Sequence, residues 1–281
     1  MNKAFYLKSF IVALLGFLIS CSSEKKQEAT EEVVQEEMTP MYVGEEVSYS
    51  TDSTTMKGYI AYDKNSTDKR PGIIVVHEWW GHNEYSRKRA DMLAELGYVA
   101  LAVDMYGDGK QAAHPGDAGK FAMQVFSNID EATARFNKAV ETLKANTHVD
   151  GDKISAIGYC FGGSVALTMA NSGADLDAVA AFHSGIELPV MPGENLKAKV
   201  LVCNGAEDPM ITPESVEAFK SALDAAGADY KYIAYEGAKH AFTNQGATEL
   251  GEKFKIPLEY QEKADQESWE ELKSLLASVY N

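Results

Sequence analysis

The stretch Lys153-Ile154-Ser155-Ala156-Ile157-Gly158-Tyr159-Cys160-Phe161-Gly162-Gly163-Ser164-Val165-Ala166 constrains this chain more than any other. An apolar run ends at Gly158, a Gly-x-Cys-x-Gly pentapeptide follows, and a small-residue, helix-competent run opens at Gly163. This order describes a strand, a sharp turn and a helix. A turn that tight strains its central residue, and glycine at the flanking positions is what lets the chain close. The turn lifts the cysteine side chain above the sheet edge. The helix that follows aims its free N–H groups and positive end at the sulfur, which favours thiolate and any nearby oxyanion. A Gly-rich turn with an inert buried cysteine is the bland alternative, and the rest of the chain decides between them.

Strand and helix patterns alternate on both sides of this turn. Tyr42 to Tyr49 and Thr54 to Tyr62 alternate loosely around a Ser/Thr/Asp turn and predict an antiparallel hairpin at a sheet edge. Gly72 to Val76 is a continuous β-branched run, as expected of a strand buried on both faces. Ser86 to Leu96 and Asp130 to Asn146 have helical spacing, with Tyr98 to Val103 a strand and Tyr106 to Asp117 a Gly-rich loop between them. Strands at Ala178 to Phe182, Val200 to Asn204 and Asp229 to Tyr235 follow, with helices at Pro213 to Ala226 and Glu259 to Val279. The pattern predicts an α/β fold with a mostly parallel central sheet and helices on both faces.

The 281 residues divide into three expected parts. Residues 1–20 read as a lipoprotein signal peptide: Lys3 and Lys8, an apolar run from Phe10 to Ile19, then Leu18-Ile19-Ser20-Cys21, with Cys21 the lipidated residue. Residues 21–40 are rich in Glu, Gln, Lys and Thr without aromatics, a composition that reads as a disordered tether. Residues 41–281 are the size of one α/β domain. Acylation at Cys21 implies a membrane partner through the N-terminal anchor and a place in a bacterial cell envelope. The net charge is −16, and loss of residues 1–20 removes two lysines and no acid, leaving −18. So acidic a surface argues against nucleic acid as a partner. With Cys21 in the lipobox, only Cys160 and Cys203 remain, too few for a disulfide framework, and Cys203 lies in a strand pattern.

Parallel sheets place their ligands at the carboxyl ends of the strands. Polar residues stand there after two strands: Glu207-Asp208 and Lys239-His240. Cys160, Asp208 and His240 then run in the order nucleophile, acid, base that α/β-hydrolases use. A thiol near its reference pKa is mostly protonated at neutral pH and needs a base. His240 is that base, and Asp208, with Glu207 as rival, orients the imidazole. His183 after its strand reads as a pocket or structural histidine. His82, His114 and His148 read as surface or loop residues. In Val76-His77-Glu78-Trp79-Trp80-Gly81 the helical zinc motif fails, because Gly81 stands where its second histidine belongs. No metal or other cofactor is implied. This loop is instead placed to offer the Trp79 N–H, beside that of Phe161, to a developing oxyanion.

Together these residues resemble the dienelactone hydrolase family. The resemblance is carried by His77-Glu78-Trp79-Trp80-Gly81, Asp104-Met105-Tyr106-Gly107, Gly158-Tyr159-Cys160-Phe161-Gly162-Gly163, Asp208, and Gly237-Ala238-Lys239-His240-Ala241-Phe242. It implies an α/β-hydrolase fold, a Cys160–His240–Asp208 triad working through a thioester, and a small ester or lactone substrate. It also implies that Glu78 pairs with the resting Cys160. Trp80, Tyr106, Tyr159, His183 and Asn244 are expected around the substrate. The family's prototype holds a substrate carboxylate with two arginines, whose places here read Gly107-Asp108 and Asn244. A neutral ester or lactone is therefore expected, with true dienelactone hydrolysis and non-catalytic ligand capture as alternatives. The domain is expected to act as a monomer.

Overall fold

A computed structural model describes residues 39–281. The signal peptide, Cys21 and residues 21–38 of the expected tether lie outside the described residues. Chain order runs β1 (Tyr42–Ser50), β2 (Thr55–Asp63), β3 (Arg70–Val76), α1 (Glu84–Glu95), β4 (Val99–Val103), α2 (Pro115–Phe126), α3 (Ile129–Lys144) and β5 (Val149–Tyr159). It continues α4 (Phe161–Asn171), β6 (Ala178–Phe182), β7 (Lys199–Gly205), α5 (Pro213–Ala226), β8 (Tyr230–Tyr235), α6 (Ala247–Phe254) and α7 (Glu262–Tyr280). The strands form one eight-stranded sheet in the order β1-β2-β4-β3-β5-β6-β7-β8. The β1–β2 and β2–β4 pairs are antiparallel and all the others parallel. The fold is the mostly parallel α/β sheet with an antiparallel edge hairpin that the sequence pattern predicts.

Strand alternation divides the core into two apolar layers. Ile74, Val76, Leu101 and Val103 pack on one face with Phe136 of α3, Val165 of α4 and Phe219 of α5. Ile73, Val75, Ala100 and Ala102 face the other way, onto Leu93 of α1 and Leu272 and Leu276 of α7. Each large side chain fully buried this way contributes roughly 2 kcal/mol. From β3 the chain moves outward to β4, and from β5 it moves the opposite way to β6. The two connections diverge, and a crevice opens above the carboxyl ends of β3 and β5. The loop after β3 and the Cys160 turn after β5 both lie there.

Two helices escape the sequence pattern. Pro115–Phe126 carries Gly116 and Gly119, which hide its period, yet Pro115 opens the helix and the His114 ring caps it by accepting from the Gly116 N–H. The short α6 follows directly on the His240 loop. His82, expected at the surface, is buried.

Asp104 at the end of β4 organises the loop that follows. Its Oδ1 accepts from the N–H groups of Tyr106 (3.1 Å) and Gly107 (2.8 Å), and its Oδ2 from those of Gly109 (2.8 Å) and Lys57 (3.2 Å). Gly107, Asp108 and Gly109 all have positive φ, and the carboxylate helps hold this course by collecting the loop's N–H groups. Asp104→Ala leaves those donors unsatisfied. It should lower the unfolding free energy by about 3 kcal/mol, read from urea denaturation of the purified domain.

Candidate active site

Cys160 has φ 54° and ψ −120°, a conformation that non-glycine residues rarely adopt. Its neighbours explain why the turn holds. A Cβ on Gly158 would stand 2.1 Å from the Gly162 carbonyl oxygen, and one on Gly162 would stand 2.3 Å from the Val76 carbonyl oxygen. Nothing but glycine fits at either place. The Cys160 N–H donates to Phe182 O on β6 at 2.9 Å, which ties the turn to the sheet. The cysteine is the N-cap of α4, yet its side chain makes no capping bond and the sulfur is left for other work.

β7 and β8 deliver the partners. Asp208 and His240 are both buried, and His240 Nδ1 lies 2.7 Å from Asp208 Oδ2. The other carboxylate oxygen of Asp208 accepts from the Met210 N–H at 2.9 Å. Glu207, the rival acid, is exposed. With Nδ1 taken by Asp208, Nε2 is left for the sulfur. Burial works against the His240 cation. The charge and hydrogen bond of Cys160 and the Asp208 carboxylate outweigh it and hold the imidazole up at about 10.

The loop after β3 is braced by two side chains. His77 is buried, its Nδ1 2.5 Å from Glu78 O and its Nε2 3.2 Å from the Met105 N–H. Because Nε2 accepts, Nδ1 carries the proton and donates to that carbonyl. The Tyr106 hydroxyl donates to Trp79 O at 2.9 Å. The Trp79 N–H meets no protein acceptor among the described residues. Phe161 opens α4, where helical N–H groups have no intrahelical acceptor. Two N–H groups, one in the loop after β3 and one following the cysteine, are thus left unspent. His77 entered the sequence reading only through the motif. The signal that marks it as a brace is its place at the end of a fully buried strand.

Glu78 and Tyr159 stand differently from the expectation, and of the two readings of His183 the structural one fits. Glu78 does not pair with Cys160: it is buried and accepts from Asn244 Nδ2 at 2.6 Å. Burial raises its pKa to about 7, against the opposing influence of Asn244, His240 and Arg89. Tyr159 does not line the substrate side. It stacks on Phe182 (4.9 Å between centroids) within the α1/α7 layer and lies beneath the Arg89 guanidinium. His183 is fully buried below His240, with 5.5 Å between ring centroids. Burial and the His240 charge push its pKa well down, so it stays neutral.

Trp79 is half-buried, and Trp80 packs between it and Phe254 of α6. Tyr106 and Phe161 meet at 5.3 Å beside the cysteine. Two cavities flank this cluster. One, of about 290 Å³, is lined by Tyr85, Arg89, Thr243 and Asn244. The other, of about 140 Å³, is lined by Tyr106, Phe121, Val125 and Arg135.

Residues 56–280 match the dienelactone hydrolase family, and the chain belongs to it. Its activity is therefore that of an ester or lactone hydrolase. Protein usf of Aquifex pyrophilus is 31% identical over 208 residues, covering 72% of this chain and 88% of its own length. The solved structure of m3DLH superposes with a TM-score of 0.81 at 34% identity, over 85% of this chain and 99% of its own. A dienelactone hydrolase-like promiscuous phosphotriesterase from metagenomic libraries superposes with a TM-score of 0.79 at 30% identity, over 85% of this chain and 99% of its own.

The raised Glu78 carboxyl has a signed consequence. A carboxyl whose pKa is higher in the folded state favours folding when protonated. Its contribution is full below the ordinary 4.5 and is lost as pH rises through about 7. Glu78→Gln keeps an acceptor for Asn244 without the charge. The variant should be more stable than wild type by about 3 kcal/mol at pH 8, with the difference nearly gone at pH 4. Urea melts at the two pH values read this directly.

Proposed function

We propose that this protein hydrolyses a neutral ester or lactone through a Cys160–His240–Asp208 triad and a thioester intermediate. The observation that carries the reading is the His240 imidazole, bonded to Asp208 through Nδ1 at 2.7 Å with its other nitrogen left for Cys160 on its strained turn. Proton transfer from Cys160 to His240 yields the thiolate–imidazolium pair. The thiolate attacks the substrate carbonyl carbon, and the carbonyl π electrons move onto oxygen. That oxyanion is met by the N–H groups of Trp79 and Phe161. Collapse breaks the C–O bond, and His240 gives its proton to the leaving alcohol. Water, deprotonated by His240, then attacks the thioester, releasing the acid and returning the proton-shared pair.

The choice of a neutral substrate rests on charge. Asn244 is committed to Glu78, and Asp108 stands where the prototype carries its first arginine. Arg89, a buried cation close enough to influence Glu78, is held by Thr243 O at 2.7 Å and by Asp265 at 2.6 Å. Arg89 is thus already engaged and is not free to receive a substrate carboxylate. The protein lacking residues 1–21 should turn over short p-nitrophenyl esters. Cys160→Ala and His240→Ala should each lower kcat by roughly a thousandfold or more. The same ester carrying a carboxylate should be a poorer substrate. Turnover that survives in Cys160→Ala overturns the nucleophile assignment. A preference for the anionic ester overturns the neutral-substrate reading.

The same proposal places the enzyme as a monomer on a lipid anchor in the bacterial cell envelope. Its support is the basic, apolar and Leu-Ile-Ser-Cys order of residues 3–21. In cells, Cys21→Ala should abolish incorporation of labelled palmitate. Equal labelling of the variant sinks the anchor.

A further inference from the structure

Two strained turns flank His240 and are joined by one side chain. His183 directly follows β6 with φ 39°, and Ala241 follows His240 with φ 60°; neither is glycine. Strained backbone of this kind persists only where its surroundings over-determine it. The joining side chain is Thr243, which is buried. Its Oγ1 lies 2.7 Å from His183 Nε2 and 2.5 Å from the Tyr85 hydroxyl of α1. Its carbonyl accepts from Arg89 Nη2 at 2.7 Å, and Arg89 is itself fixed by Asp265 at the start of α7. The next residue, Asn244, holds Glu78. His183 Nδ1 and the Tyr159 hydroxyl are buried without a partner among the described residues, so the Thr243 bond is the one polar contact of the His183 ring.

We infer that Thr243 is a positioning residue: its hydroxyl joins His183 and Tyr85 and so fixes the loop that carries both His240 and Asn244. The inference rests on the triad reading above. Thr243 hydrogen-bonds His183, Tyr85 and Arg89 and makes no bond to Cys160, so it acts through His240. The Thr243 hydroxyl hydrogen-bonds the residue after β6 and a residue of α1 at the same time. The neutral His183 ring lies against His240 without competing for its proton. Cys160 and Asp208 act on the His240 charge, and His240 in turn acts on His183 and Glu78.

The test compares Thr243→Val, Thr243→Ser and Tyr85→Phe, each in the protein lacking residues 1–21. The readouts are ester-hydrolysis kinetics, the pH profile of Cys160 alkylation by iodoacetamide, and thermal melting. Thr243→Val keeps the shape and removes the hydroxyl. It should lower kcat about 10- to 100-fold with KM within about twofold, the scale expected of a misplaced catalytic group. It should also move the alkylation profile to higher pH, because a displaced His240 shares the thiol proton less well. Thr243→Ser should restore both. Tyr85→Phe leaves the His183 bond in place and should fall between them, which keeps the inference testable if Thr243→Val does not fold. A Thr243→Val or Tyr85→Phe protein that melts lower but keeps the wild-type kcat and alkylation profile overturns the inference. Undiminished turnover in Cys160→Ala instead overturns the triad reading on which it rests.

Discussion

The site depends on one close approach. Gly162, at the start of α4, packs so near the end of β3 that a Cβ there would reach the carbonyl oxygens of Val76 and His77 at 2.3 and 2.5 Å. That contact locks the helix against the strand that feeds the Glu78–Trp79 loop. The Cys160 turn and the Glu78–Trp79 loop are therefore not set independently. A displacement of α4 would carry the Phe161 N–H away from Trp79 and relax the positive φ of Cys160 together. The cost of the strained turn is met by packing two glycines on backbone, where side chains would otherwise add to the core.

Around this contact the fold keeps an unusual number of buried charges and compensates each differently. Asp208 and His240 compensate one another. Arg89 spreads its charge over Asp265, the Thr243 carbonyl and the ring faces of Tyr85, Tyr159 and Trp269, all with centroids 5.3–5.4 Å away. His183 takes the remaining route and stays neutral. Glu78 is the incompletely compensated member, with one amide donor, and its raised pKa is the direct result. The acid nearest to changing its charge at neutral pH is thus the one beside the reacting groups.

Much of this was legible in the sequence because it is local. The turn around Cys160, the buried β-branched run at Ile73–Val76 and the polar residues after β7 and β8 need only neighbours a few residues away to be read. The misplacement of Tyr159 was avoidable: alternation puts Ile157 and Tyr159 on one face of β5 and Ala156 on the other. The Glu78–Asn244 and Thr243–His183 bonds were not legible, since their partners stand 166 and 60 residues apart and meet only once the sheet is closed. Helix α2 was hidden by its glycines, because its period shows in what it covers and not in its own composition.

Asn244 links the substrate question to the charge question. An arginine at this place, as in the family's prototype, would offer a receptor for a substrate carboxylate and would also hold the neighbouring Glu78 ionised, since an adjacent cation favours carboxylate. Asparagine does neither. Its amide donates one neutral hydrogen bond, which lowers the Glu78 pKa too little to offset burial. Asparagine at this place therefore offers no cation to an anion and leaves beside His240 a carboxyl whose pKa burial has raised to about 7. A substrate bringing its own carboxylate into this crevice would meet Glu78 without a cation between them and would drive it further toward protonation. A neutral ester carries no such penalty. On the proposed reading, selectivity at this site follows from how buried charge is shared as much as from the shape of the opening.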